Sequence, residues 1–367
     1  VKALVCRALG DDLSGVGVEE TPKPEAEAGQ VRIKVKAASV NYPDILLCQG
    51  KYQLKLEPPF TPGMDMAGIV DAVGAGVTGF EVGDEVAGGA RFGGFAEYAV
   101  VSAAGLQHKP ETMDFAEAAA YPAAYLTAYV TLVRRARLQA GETLLVHGAT
   151  GGVGLAAVDV GKLLGAKVIA TSGSETKLAQ VVAYGADHGV LARKGFRGEV
   201  KALTDGRGAD VIYDPVGGDI FDESVRCIAF DGRLCVVGFT SGRIASISTN
   251  MPLIKGFSVV GVRAGEYGRQ FPERGAENIA QIWDWARAGK TRPHVHARLP
   301  LAKTVEGMRM LEQRQVVGKV VIEPLIGIGR GEGNRILVNH DFERMGRGDA
   351  GFAITVGIRK PRLRTCV

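Results

Sequence analysis

Hydrophobic and polar positions change rhythm twice along the chain. Over residues 1–120 the apolar residues fall in short runs, KALVC, QVRIKVKAAS, DMAGIVDAVG and GFAEYAVVS, separated by Gly, Pro and acidic turns. That spacing predicts strands and suits a partly open, barrel-like fold. From about residue 143, strand-like and helix-like segments alternate. TLLVHG precedes VGLAAVDVGKLLG, KVIAT precedes ETKLAQVVAYG, and HGVLA precedes a helix around 198–205. ADVIYD, FDESVRCIA, RLCVVGF and FSVVGV complete the series. Six apolar, β-branched strands with helices between them predict a parallel sheet covered on both faces. Residues 122–256 therefore read as a doubly wound, dinucleotide-type α/β domain with a six-stranded parallel sheet. Beyond residue 260, ENIAQIWDWARAG and KTVEGMRMLEQR have the spacing of amphipathic helices, and HVHARLPL and KVVIEP that of strands. This stretch, 257–325, is expected to return to residues 1–121 and complete that first domain. The tail, 326–367, is Gly/Arg-rich with little periodicity and is expected to be poorly ordered.

Composition narrows the class. A chain of 367 residues suggests two domains, and 46% hydrophobic with 23% charged residues suits a globular protein with a real core. No apolar run approaches the roughly 20 residues of a membrane helix, and VKALVCRAL reads as a strand rather than a signal peptide, so a cytoplasmic protein is expected. Five scattered cysteines without a C-x-x-C pair predict reduced thiols, not a disulfide framework or zinc ribbon. The net charge of +4 is unevenly placed: residues 326–367 hold eight Lys/Arg against four Asp/Glu, leaving thirty-six of each in residues 1–325. A neutral body argues against a nucleic-acid-binding surface.

Candidate chemistry begins at HGATGGVG, residues 147–154, between the first strand and first helix of the alternating region. A dinucleotide needs a turn there tight enough for backbone N–H groups at a helix start to meet its pyrophosphate. Gly151, Gly152 and Gly154 suit that turn, and Val153 begins the helix. The second strand ends Ala170-Thr171-Ser172-Gly173-Ser174 with no acid at its tip, and Lys177 follows. Small hydroxyls and a cation favour a 2′-phosphate, hence NADPH over NADH. Glu175 belongs to the next helix, capped by Ser174. The stretch SVNYPDILLCQGKY, 39–52, reads first as a helix start, with Asn41 as N-cap, Pro43 in the first turn, Asp44 three residues on and Gly50 as the stop.

With these motifs in order, residues 1–325 resemble the medium-chain dehydrogenase/reductase superfamily, and within it the zinc-free, zeta-crystallin-like NADPH:quinone oxidoreductases. The match is carried by Asn41-Tyr42-Pro43-Asp44, by Pro62-Gly63-Met64-Asp65-Met66-Ala67-Gly68, and by Val82-Gly83-Asp84-Glu85-Val86. Gly94-Phe95-Ala96-Glu97-Tyr98, Ala149-Thr150-Gly151-Gly152-Val153-Gly154, Val237-Gly238-Phe239 and Val317-Gly318-Lys319-Val320-Val321 add to it. The resemblance implies a GroES-like first domain, a Rossmann domain and a return. Zinc-containing members carry Cys in place of Asn41 and Gly-His-Glu in place of Gly63-Met64-Asp65, so no catalytic zinc is expected. His294-x-His296 puts two imidazoles on one side of a strand but lacks a third partner.

The same resemblance puts Asn41 and Tyr52 at the substrate, Asn41 orienting a carbonyl oxygen and Tyr52 as second donor or proton source, with water as its competitor. It puts Thr127 beside the nicotinamide ribose and Gly238 and Phe239 near the ring, and lets Lys319 reach the cofactor phosphates or stay a surface lysine. Where some relatives add a tyrosine to the 2′-phosphate, this chain has Ala192 followed by Arg193. Hydride transfer from NADPH to a quinone is the activity implied, since a quinone needs no strong electrophile. Gln49-Gly50-Lys51-Tyr52 equally fits relatives that reduce activated C=C bonds of 2-enones, alkenals or enoyl thioesters. A third possibility is an NADPH-binding structural protein or one with RNA affinity, for which the basic tail is the feature to test. A homodimer or homotetramer is expected, with Phe257–Val262 as the candidate sheet edge.

Overall fold

The computed structural model describes residues 1–324 and the backbone of residues 337–338. At the heart of the first half is the ten-residue strand Gln30–Ser39. Val31, Ile33 and Val35 are buried while Arg32 and Lys34 alternate with them toward solvent, the period-2 pattern of a half-buried strand. It pairs antiparallel with Asp65–Val73, which pairs with Glu85–Gly89 and then Leu106–His108. Its other edge takes Lys319–Glu323, with Ser39 opposite Val321, and Tyr98–Ser102. Lys319–Glu323 runs parallel to Val295–Pro300, and Leu337–Val338 pairs beyond that. Strands more than 250 residues apart in sequence thus close one GroES-like mixed sheet. Apart from Leu337–Val338, the tail expected to be poorly ordered, residues 326–367, lies outside the described residues.

The second sheet is parallel throughout. Its order is His188–Leu191, Lys167–Ser172, Thr143–Val146, Ala209–Asp214, Ile228–Val236 and Ser258–Gly261. Every residue of Thr143–Val146 is buried, as a central strand covered on both faces requires. Chain order reverses on either side of this strand, and such a switch point opens a ligand crevice at the strands' carboxyl ends. Ser258–Gly261 forms one edge of this Rossmann sheet, with Val259 exposed.

Two local differences from the sequence reading are informative. FDESVRCIA was expected to be one helix, but the helix Gly218–Ser224 stops early and Ile228 already pairs with Ala209. The Ile228 side chain buries beside Phe257 and Ala209, and the pairing is restored at Arg233 after an irregularity in which Asp231 has φ 61°. The helices Phe115–Ala120 and Pro122–Tyr129, which the pattern did not reveal, lie where the two sheets meet. Ala116, Ala118, Ala119 and Ala120 are all buried, so no polar face marks a period.

Candidate active site

Where Gln30–Ser39 ends and the helix Tyr42–Cys48 begins, four polar side chains enter the interior. Asn41, Asp44, Asp65 and Lys319 are 7%, 0%, 3% and 5% exposed. Asn41 does occupy the N-cap position, with φ −114° and ψ 152°. Its N–H donates to Asp44 Oδ2 at 2.8 Å, and Asp44 Oδ1 accepts from the Gly63 N–H at 3.1 Å. The resolved hydrogen bonds of the Asn41 side chain, however, go to partners beyond the helix end. Its Nδ2 donates to Asp65 Oδ2 at 3.0 Å and to the Ser39 carbonyl at 3.3 Å. Its Oδ1 accepts from Lys319 Nζ at 2.6 Å, and the same ammonium donates to the Val40 carbonyl at 3.2 Å. Charged partners hold the amide more strongly than a helix-end N–H would. They also fix its orientation, because the flipped amide would aim a donor at the ammonium and an acceptor at the carboxylate.

Two carboxylates and one ammonium share this space. Burial, then the nearby Asp65 charge, pushes Asp44 up to about 7, against the lowering effect of its backbone donors and Lys319. Burial also raises Asp65, opposed by Lys319 and the Asn41 amide. Burial lowers Lys319, opposed by Asp65 and Asp44. Shifted, buried titratable groups meeting in one place are a candidate functional site by physical criteria. The Asp65 carboxylate also accepts from the Ala123 N–H at 3.3 Å, at the start of the helix Pro122–Tyr129. Thr127 lies four residues on, on the same face of that helix.

The cofactor side abuts this cluster. The Gly318 N–H donates to the Thr150 carbonyl at 2.8 Å, and Gly151 and Gly318 form a parallel bridge. Gly151 caps the helix Gly152–Leu163, and Val153 sits in its first turn, where N–H groups have no partner within the helix. The turn demands glycine: a Cβ on Gly154 would lie 2.3 Å from the Gly148 carbonyl oxygen. At Gly152 a Cβ would lie 2.2 Å from Lys319 Cδ, so glycine at this position leaves room for the lysine stem. Beyond the second strand the ground is open, since a Cβ on Gly173 would meet nothing within 4 Å. These features fit a dinucleotide: a glycine cradle, a helix start, and hydroxyls with a cation at the second strand's end.

The remaining expected residues are placed as follows. Ser172 is buried and its Oγ accepts from the Ser174 N–H at 3.3 Å. Ser174 caps the next helix as expected. Lys177 Nζ donates to the carbonyls of Arg314 and Val316, tying this helix to the returning segment, and burial lowers its pKa. Arg193 pairs with Glu199 at the surface. Gly238 lies against Pro215, and Phe239 beside Gly217 is 44% exposed. Tyr52 follows the helix end, half-buried against the same core as Ile45 and Leu47, and among the described residues its hydroxyl has no hydrogen bond. Asn41, Lys319, Gly151 and Gly152 therefore meet; Gly238, Phe239, Ser172 and Lys177 line other parts of the Rossmann sheet's carboxyl end. An open cleft of about 650 Å³ near Arg197, Lys201, Arg226 and Lys255 is separate and carries none of these motifs.

Asp44 and Asp65 are the residues that sequence reasoning passed over. In sequence, Asp44 fits a helix start and Asp65 stands where zinc-containing members carry Glu. The available signal was the pairing of Asn-x-x-Asp with Gly-x-Asp in one strand-rich unit. The Lys319 ammonium, expected at the cofactor phosphates or at the surface, is buried and held by Asn41 and Val40.

Comparison with known proteins adds the following. Residues 27–111 match the alcohol dehydrogenase GroES-like domain and residues 152–281 the zinc-binding dehydrogenase family. The chain is 39% identical over 325 residues to quinone oxidoreductase-like protein 2 homolog of Nematostella vectensis, covering 88% of each chain. A mycobacterial protein solved in complex with NADPH superposes with a TM-score of 0.82 at 29% identity, covering 88% of this chain and 99% of that one. The CurK enoyl reductase superposes with a TM-score of 0.78 at 27% identity, again over 88% and 99%. The zinc in one family description does not suit the residues here. Asn41 and Met64 replace the ligands that zinc-containing members carry, and an ammonium rests 2.6 Å from Asn41 Oδ1. His294 and His296 find no third His, Cys, Asp or Glu among the described residues with which to hold a metal.

Proposed function

The chain belongs to the medium-chain dehydrogenase/reductase superfamily as a quinone oxidoreductase-like member, and from that premise we propose that it reduces a quinone with NADPH by a zinc-independent route. The observation that carries the reading is the contact between the two halves: one lysine stem runs over the cofactor turn at Gly152 and ends on Asn41. A cofactor held on the turn and a substrate beside Asn41 would be neighbours, which is what hydride transfer requires.

In this reading NADPH, when bound, supplies the hydride. Gly151, Gly152 and Val153 receive its pyrophosphate, and Ser172 and Lys177 its 2′-phosphate. Thr127, Gly238 and Phe239 shape the nicotinamide end. Lys177 must leave the Arg314 and Val316 carbonyls to meet a phosphate, which it favours by charge. Asn41 orders the substrate side, and Tyr52 offers a second donor. A quinone suits such a site because its reduction yields a resonance-stabilised anion that fixed hydrogen-bond donors can hold.

A second reading, reduction of an activated C=C bond, is favoured by the Tyr52 hydroxyl, which is without a hydrogen bond among the described residues, and by the likeness to an enoyl reductase. The test compares NADPH oxidation by 1,4-benzoquinone and by a simple 2-enone, each repeated with NADH and with the variants Tyr52→Phe and Lys177→Met. Fast quinone turnover is expected, with NADPH preferred. Lys177→Met should lower that preference by about tenfold or more, the worth of one charge-assisted hydrogen bond. Tyr52→Phe should reduce quinone turnover mildly. Turnover on the enone alone, abolished by Tyr52→Phe, would establish the second reading in its place.

A further inference from the structure

Resting on that reading, we infer that Lys319, not the Asn41 amide, is the residue that donates to the substrate oxygen on which negative charge develops, with Asn41 as the residue that positions it. The argument is a count of donors. An amide has two N–H hydrogens. Those of Asn41 go to Asp65 Oδ2 and the Ser39 carbonyl, so the amide has none left for a substrate. An ammonium has three. Lys319 gives one to Asn41 Oδ1 and one to the Val40 carbonyl, and among the described residues its third has no hydrogen-bond acceptor.

The surroundings suit the task. Asp65 and Asp44 attract the ammonium from within the cluster, compensating the charge without a direct ion pair that would use up the third N–H. The stem is pinned where Gly152 leaves room for it, so the head cannot swing freely. A fixed cation in a site screened from water stabilises a developing oxyanion far more than an exposed lysine could. It also stands against Asn41, the position at which zinc-containing members carry their cysteine. A protein cation thereby offers the electrostatic help that a metal supplies elsewhere in the superfamily.

The test uses 4-nitrophenol, whose phenolate mimics the anion of a reduced quinone and whose ionisation is read directly from its absorbance. Bound to the full-length protein, it should ionise more readily than in water, by about one pKa unit, a tenfold change in the ratio of ionised to neutral form. Lys319→Met should abolish this shift, and Asn41→Ala, which frees the ammonium, should weaken it. Lys319→Met should also lower kcat for quinone on the order of 10²–10³-fold, the usual cost of one oxyanion donor, while NADPH affinity is kept. Lys319→Gln, with a polar head on a shorter stem, serves if the methionine variant does not fold. An equal shift in wild type and variants, or a probe that stays neutral or unbound in wild type, overturns the inference. So does a variant that loses NADPH affinity while keeping kcat, since Lys319 would then serve the cofactor phosphates. A wild-type protein that reduces neither quinone nor enone yet shows the Lys319-dependent shift would reject the proposed reaction and still support the donor assignment.

Discussion

Around His147 in the Rossmann half and around Lys319 in the other, buried polar side chains form two networks of opposite material. His147 is fully buried, with Nδ1 2.9 Å from Thr171 Oγ1 and Nε2 2.8 Å from Ser224 Oγ. Ser224 donates its own proton to the Ile220 carbonyl at 2.7 Å, so it accepts from Nε2–H and Thr171 donates to Nδ1. Burial pushes His147 down to about 3, so the ring is neutral. Every donor is used and no charge is present. Among the described residues, the Lys319 network has two carboxylates, one cation and a donor left over. The difference teaches how to separate structure from chemistry among buried polar groups. A closed, neutral network fixes the geometry of a strand end, whereas a charged one with a free N–H is costly to fold and useful to a substrate.

The largest test of this contrast removes a charge. Asp65→Leu leaves Lys319 with weaker compensation and deprives the Asn41 and Ala123 N–H groups of their acceptor. A loss of about 3–5 kcal/mol in urea unfolding is expected, as for other broken buried ion clusters. A variant as stable as wild type would show that the carboxylate is not charged in the fold. Next in size is His147→Leu, which leaves the Thr171 hydroxyl without its acceptor and Ser224 Oγ without its donor, and should cost about 1–3 kcal/mol by the same measurement. It should leave the ionisation of bound 4-nitrophenol untouched; a change there would erase the distinction between the networks.

The finest test is the sign of the pH dependence. Asp44 titrates at about 7 when folded and at about 3.9 when unfolded, so the folded state holds the extra proton between those values. Its contribution to stability is full below about pH 3.9 and is lost as pH rises through 7. His147 has the reverse sign, with a value of about 3 folded and about 6.5 unfolded. Its contribution is full above about pH 6.5 and is lost as pH falls toward 3. In melting temperatures taken from pH 5 to 8, Asp44→Asn should remove a decline with pH and His147→Leu a rise. Curves parallel to wild type for both would mean that neither group carries the shift assigned to it.

Much of the frame was legible in the residues alone. KALVC, QVRIKVKAAS and ADVIYD are strands at the bounds their patterns gave, because alternation or continuous burial is a property of neighbouring residues. The glycine turn at 151–154 and the cap at Ser174 are equally local, since backbone geometry over a few residues dictates both. The alanine-rich helices before residue 130 had little periodic contrast to reveal them. The early strand at Ile228 was decided by burial against Phe257 and Ala209, partners that the local pattern does not name.

The site divides the same way. Sequence determined that Asn41 begins a helix, that Asp44 sits in its first turn and that Lys319 follows a glycine. Only the tertiary structure decided what these residues do to one another. Pairing of Lys319–Glu323 with Gln30–Ser39 brings an ammonium to an amide 278 positions away in the chain. Hydrogen bonds and pKa values depend on distance and burial, which fall off within a few ångströms and have no counterpart in sequence spacing. The chain therefore states its elements locally, and the charge balance of its buried cluster exists only once two strands distant in the sequence have met.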